Sequence, residues 1–297
     1  MNARHKLRRL AVLAPPMLWL GLFFFVPFLV VLRISLSDSA PAIPPYAPHW
    51  PGLGEIGTFI RALDIENYIT LLSDDLYLGA YLSSLRIAAT ATLLTLLLGF
   101  PLAYAMTRAP KVWQPALLVL VILPFWTSFL IRVYAWMAIL RPEGVLDQVL
   151  GQLGITSAPL NLLNTEAAVL IGIVYSYLPF MVLPVYASLE RIDPALTEAA
   201  ADLGATPLKR FFLITVPLAM PGIMAGAFLV LIPAIGEFVI PDLLGGSDTL
   251  MIGKVLWTEF FANRDWPLAS AVAIVMLLIL VGPLLLFQRL ADTGRRA

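Results

Sequence analysis

The chain has 297 residues, of which 60% are hydrophobic and 13% charged. Its mean hydropathy of +0.88 excludes a soluble globular protein and points to one that crosses a membrane repeatedly. Formal net charge is zero, so no global field favours nucleic acid, and the absence of cysteine excludes disulfides, thiol chemistry and cysteine-ligated metal.

Arg4, Lys6, Arg8 and Arg9 precede an apolar run over 10–32. A signal-peptide core spans about 7–15 residues, so this longer run reads as a retained first span, although Ser37–Ala40 vaguely resembles a cleavage site. Pro15, Pro16 and Pro27 should bend or bound it. A polar, Pro-rich and acidic stretch follows to Ala80, carrying Asp38, Glu55, Asp64, Glu66, Asp74 and Asp75. Within it 41–51 should be extended, while 67–72 and 76–85 read as short helices. The stretch is too small for a domain with its own core.

Further apolar spans are expected over 84–106, 113–140, 167–189, 217–240 and 268–290. Each has about 20 or more residues, enough to cross a ~30 Å hydrocarbon layer. Arg141-Pro142-Glu143-Gly144 should turn after the third, and a helix is expected near 250–260. Loops holding Arg4, Lys6, Arg8, Arg9, Arg108, Lys111, Arg191, Lys209, Arg210, Arg289, Arg295 and Arg296 alternate with loops holding Arg33, Arg61, Arg141, Lys254 and Arg264 and most of the acids. The basic set should be cytoplasmic, which puts both termini and the 190–216 loop inside. The whole chain reads as one transmembrane domain.

That loop carries EAAADLGATPLKRFFLITVP from Glu198 to Pro217. Asp193-Pro194 is a helix start, with Asp as cap and Pro at the first helical position. Gly204 suits a left-handed stop, and Thr206-Pro207 restarts a second helix through Lys209 and Arg210. Two short helices meeting at a corner, with small residues clustered between, suit a close-packed partner.

Catalytic motifs are missing. There is no G-x-x-x-x-G-K-[ST] loop to cradle ATP and no H-E-x-x-H, and the two histidines, His5 and His49, fall outside the spans. No metal site is expected. Three ionisable residues lie in or beside spans: Arg86, Arg132 and Glu237. Arg86 and Arg132 read as snorkelling or paired cations near an interface. Glu237 follows Pro233 and Gly236, which loosen the helix and free carbonyls, so it is a candidate cation contact; a buried pair with Arg132 or with a partner chain is the alternative. Trp126, Tyr134, Trp136 and Trp257 are aromatic candidates for a substrate path, against the alternative of an interfacial belt. Gly222 and Gly226 form G-x-x-x-G, which suits either a contact with another membrane chain of the same kind or packing within this one.

Glu198-Ala199-Ala200, then Gly204, Ile214 and Pro217, resemble the EAA loop of inner-membrane permease subunits of ABC importers. Val216 stands where that pattern usually has Leu. The resemblance extends over nearly the whole chain from Leu10. Glu66-Asn67-Tyr68, the Pro124–Trp136 segment, and Gly236–Gly246 continuing into Asn263-Arg264-Asp265-Trp266-Pro267 are similar to the spermidine/putrescine permeases. The Pro124–Trp136 segment most resembles the first permease of the putrescine importer.

This resemblance implies an all-α integral membrane protein with six transmembrane helices in the type I ABC importer permease fold. It would reside in the bacterial inner membrane and carry polyamines without being an enzyme. Its implied partners are a second homologous permease, two cytoplasmic ATPase subunits that bind ATP and Mg, and a periplasmic or surface solute-binding protein, with no nucleic acid. Glu198, Ala199, Ala200, Asp202, Leu203, Gly204 and Pro207 would couple to the ATPase. Glu237, Trp126, Tyr134, Trp136 and Asp242 are the substrate-path candidates. Alternatives are an importer of another small solute, or a free-standing channel or ion-coupled carrier.

Overall fold

The structure, a computed structural model, describes residues 3–49, 62–156, 158, 160–247 and 249–294, with side chains described between 11 and 282. Glu55 and Arg61, and the basic side chains expected at both chain ends, lie outside the described residues. Among the described residues four helical stretches are long and apolar enough to cross a membrane: Ala11–Ile34, Asp75–Arg108, Glu166–Glu190 and Pro207–Ile235. A bent pair, Gln114–Trp126 with Phe129–Leu140, makes a fifth if counted as one span. The chain forms two compact units, residues 1–78 with 255–297, and residues 79–254.

In the first unit, α1 (Ala3–Leu20) and α2 (Val26–Ile34) join through a π-helical turn at Gly21–Phe25. The apolar side chains of this stretch are exposed, Val12 and Leu18 most of all, as suits a lipid-facing helix. A two-stranded ribbon follows, with β1 (Asp38–Ser39) antiparallel to β2 (Tyr46–Ala47). The Pro-rich loop therefore folds back on itself where an extended segment is expected. Then come α3 (Glu66–Ser73) and the start of α4 (Asp75–Arg108), so the expected second span begins nine residues early, at Asp75 instead of Ser84. Asn67 ties the start of α3 to the chain leaving α2: its amide donates to the carbonyls of Ser35 and Ser37, at 3.1 and 2.9 Å. The unit is completed by α14 (Trp266–Gly294), which packs on α2, α3 and β1.

The second unit holds the rest of α4, then α5 (Gln114–Ile122), a 3-10 turn (Leu123–Trp126) and α6 (Phe129–Leu140). The third expected span is thus not straight. The paired helices meet at 87°. Pro124 sits within the tight turn, and Thr127 and Ser128 take extended ψ values of 152° and 138°, so the helical ladder stops there. Arg132, read from the sequence as a cation near an interface, lies in the second helix of the pair, beyond the bend. The Arg141–Gly144 turn closes with the Gly144 N–H donating to the Arg141 carbonyl at 2.8 Å. Next are α7 (Val145–Gln152), α8 (Glu166–Glu190), α9 (Pro194–Asp202) and α10 (Pro207–Arg210). A π turn (Phe211–Thr215) carries α10 into α11 (Val216–Ile235), after which come α12 (Val239–Leu244) and α13 (Ile252–Trp257). The expected fifth span ends at Ile235, short of Ile240, because Gly236, Glu237 and Phe238 leave the helix.

The core of this unit is the α8–α11 contact, where Met181, Val182, Val185 and Tyr186 meet Ala219 and Val230, with Ala103 and Met106 of α4. In lipid, apolar area gives little drive for helices to associate, so close approach of small residues must supply packing. Gly222 and Gly226 do this. A Cβ at Gly222 would stand 2.4 Å from the Pro184 carbonyl oxygen and the Ser188 hydroxyl, and one at Gly226 2.7 Å from the Met181 sulfur. The G-x-x-x-G pair thus serves packing within the chain. Nearby, the 4%-exposed Gln114 fastens the α4–α5 corner. Its amide donates to the Thr107 and Ala109 carbonyls at 3.3 and 3.0 Å, and its oxygen accepts from the Tyr186 hydroxyl at 3.2 Å.

Candidate functional site

The break between α11 and α12 creates the site. Pro233 lacks an N–H, and Gly236 follows the last helical residue, Ile235. Glu237 then lies outside any helix, yet only 7% of it is exposed. Its carboxylate is held on two sides. Oε1 accepts the backbone N–H groups of Val239 and Ile240 at 3.1 and 3.4 Å, capping α12, and Oε2 accepts from the Tyr177 hydroxyl of α8 at 2.6 Å. Such support fixes a buried acid that would otherwise cost several kcal/mol to desolvate.

Glu237 lines a cavity of about 450 Å³. Tyr177, Phe180 and Ser176 of α8 line it too, with Phe125, Phe129 and Arg132 from the bent α5–α6 pair. The 87° bend brings Phe125 and Phe129 to one guanidinium: Arg132 Cζ lies 4.9 Å from the first ring centre and 5.8 Å from the second. Arg132 also donates to the Pro124 carbonyl at 3.0 Å, while its Nε is buried with no acceptor. Among the described residues no ion pair joins Arg132 to Glu237. The cavity therefore combines one anchored carboxylate, aromatic faces and a guanidinium that spends its charge on rings and a carbonyl.

The other path candidates lie elsewhere. Trp126 is 75% and Tyr134 54% exposed, and neither lines this cavity. Trp136 packs edge-on against Tyr175 at 5.3 Å between centroids. Asp242 is exposed and paired with Lys254 at 3.3 Å. Tyr177, Ser176, Phe125, Phe129 and Phe180 are the cavity residues that sequence reasoning does not single out. The one available signal, a tyrosine two residues before a proline inside an apolar span, is weak. Arg86, read as a snorkelling or paired cation, forms an ion pair with Glu166.

The 190–216 loop is built as its caps dictate. Asp193 accepts from the Ala195 N–H at 3.0 Å, and Thr206 from Lys209 at 3.4 Å. Gly204 has φ +80°, with its N–H on the Ala201 carbonyl and that of Ala205 on the Ala200 carbonyl, closing α9. Glu198, Ala199, Asp202, Gly204 and Pro207 are exposed and Ala200 is half-buried. Leu196, Leu203 and Leu208 expose 49, 89 and 71% of their surface beside them.

The description "binding-protein-dependent transport system inner membrane component" matches residues 10–293. The chain belongs to this family. The permease is 43% identical over 271 residues to the spermidine/putrescine transport system permease protein PotB of Haemophilus influenzae, covering 91% of this chain and 90% of that protein. PotB of Escherichia coli (strain K12) is 40% identical over 272 residues, covering 91 and 93%. The crystal structure of a bacterial ABC transporter involved in the import of the acidic polysaccharide alginate shares the fold, with a TM-score of 0.68 at 19% identity over 96% of both chains. The permease is thus a mostly helical, non-enzymatic transport subunit of an ABC importer, embedded in the inner membrane.

Proposed function

We propose that this permease carries polyamines, putrescine or spermidine, through a path that passes Glu237. The observation that carries the reading is the Glu237 cavity. A polyamine is an alkyl chain bearing ammonium groups, and taking those charges out of water is costly. An anchored carboxylate offers a counter-charge, and aromatic walls offer cation–π contact of roughly 0.5–2 kcal/mol. The PotB relatives support the same substrate class.

In this reading the chain is one transmembrane domain with six spans, the bent pair counted as one and α14 as the sixth, and both termini in the cytoplasm. Two ATPase subunits bind ATP and Mg, a second permease completes the path, and a solute-binding protein delivers substrate. Glu198, Ala199, Ala200, Asp202, Leu203, Gly204 and Pro207 form the surface that docks on the ATPase; the exposed leucines beside them supply apolar contact that a solvated loop would not keep. Trp126, Tyr134, Trp136 and Asp242 serve the path only in another conformation or against the partner permease.

Arg132 on the same cavity wall favours a second reading, a small solute bearing both an amine and an acid. Uptake of radiolabelled putrescine, spermidine and a zwitterionic amine into proteoliposomes holding the whole importer separates them. Polyamine uptake that falls on Glu237→Gln supports the first reading. Uptake of the zwitterion alone, falling on Arg132→Gln, replaces it with the second.

A further inference from the structure

We infer that a second site, at the corner where α4 ends and the α9–α10 loop begins, binds the phosphate of an anionic phospholipid. Two cavities, of about 280 and 220 Å³, adjoin there and share Tyr104, Arg108, Thr197 and Thr215. Lys111 lines the larger and Arg210 the smaller. Glu190 also lines the larger cavity, and it is matched by Lys111 at 3.7 Å.

The two guanidiniums have no such match. Among the described residues no carboxylate pairs with Arg108 or Arg210. Arg108 lies over the Tyr104 ring, 5.0 Å from its centre, and donates to that residue's hydroxyl at 2.9 Å. Arg210 reaches only the Thr197 carbonyl, at a long 3.4 Å, and its Nε is buried without an acceptor. Leaving a charged donor buried and unbonded is expensive, and an anion with several acceptor oxygens removes that cost. A phosphate satisfies two guanidinium forks at once, with short charge-assisted bonds.

The setting selects the source of that phosphate. Arg108 closes the span Asp75–Arg108, and Arg210 stands at the start of Pro207–Ile235, so both sit at span ends. Immediately after Arg210 and Phe211, Phe212 and Leu213 expose 61 and 73% of their surface. A polar, cationic notch beside exposed apolar side chains matches a molecule with an anionic head and acyl tails, and a free phosphate would leave the apolar part unused.

The test uses the full-length permease within its importer complex, purified and placed in nanodiscs of phosphatidylcholine with or without phosphatidylglycerol. Native mass spectrometry should find phosphatidylglycerol retained, and Tm should rise when it is present. Arg108→Gln with Arg210→Gln should lower retention by about tenfold or more and abolish the rise, whereas Arg141→Gln should change neither. Arg108→Lys with Arg210→Lys, which keeps charge and guards against misfolding of the Gln pair, should retain part of the effect. Equal retention in wild type and both double variants overturns the site, as does wild-type complex carrying no anionic lipid. A Tm rise of the same size from inorganic phosphate or glycerol phosphate in pure phosphatidylcholine overturns the lipid assignment.

Discussion

Glu237→Gln isolates charge from shape at the proposed ammonium contact. The glutamine oxygen can still accept the Val239 N–H that now lies 3.1 Å from Oε1, and the Tyr177 hydroxyl at 2.6 Å can accept from the new amide instead of donating. The fold therefore loses charge-assisted bonds but keeps neutral ones, a difference of about 1 kcal/mol. A passing ammonium loses more. At about 4 Å and an effective dielectric near 20, a carboxylate attracts it by roughly 4 kcal/mol before desolvation, and measured bonds to charged groups retain about 1.5–3 kcal/mol of such gains. Uptake at low substrate should accordingly fall about 10- to 100-fold. The assay is initial-rate putrescine uptake in proteoliposomes, with complex yield and binding-protein affinity measured alongside. Unchanged uptake with normal assembly would refute the role. So would loss of assembly, which would mean that Glu237 acts chiefly as the cap of α12.

Other substitutions test the remaining surfaces. Gly204→Asp meets no atom within 4 Å of its new Cβ, so its cost is confined to a left-handed backbone, about 1 kcal/mol; the subunit should insert and fold, but substrate-stimulated ATP hydrolysis by the complex should fall, and full coupling in this variant would sink the docking assignment. Gly222→Ala drives a Cβ to 2.4 Å from the Pro184 carbonyl, about 1 Å inside a normal carbon–oxygen contact, and should lower stability by about 1–3 kcal/mol; a detergent Tm equal to wild type would show that α8 and α11 separate freely. The Asp38 carboxyl in the ribbon is held above its ordinary pKa, first by partial burial and then by the neighbouring Asp64. Its folded pKa exceeds its unfolded one, so it stabilises the ribbon at acid pH and that contribution is lost as pH rises through the raised value. Amide exchange at Ala40, whose N–H donates across the ribbon to the Pro45 carbonyl, should quicken across that interval beyond the base-catalysed rise of a free amide, and Asp64→Asn should flatten the excess.

The sequence by itself determined the membrane class, because runs of about 20 apolar residues leave the backbone no other way to satisfy its hydrogen bonds in lipid. It also determined the local build of the 190–216 loop, where Asp193, Pro194, Gly204 and Thr206 act through neighbours only a few residues away. Glu237 was legible as an unusual acid beside Pro233 and Gly236. Its surroundings were not. Tyr177 lies 60 positions from it, and the approach of α8 to α11 that joins them depends on two glycines reading a distant helix surface. The 87° bend after Pro124 was equally hidden, since a proline at that position fits a kinked span or a broken one, and only the packing around it chooses. That bend places Phe125, Phe129 and Arg132 at the cavity and leaves Trp126 and Tyr134 outside it. Composition and periodicity specify which segments enter the bilayer; which side chains share a cavity is decided by contacts between segments far apart in the chain.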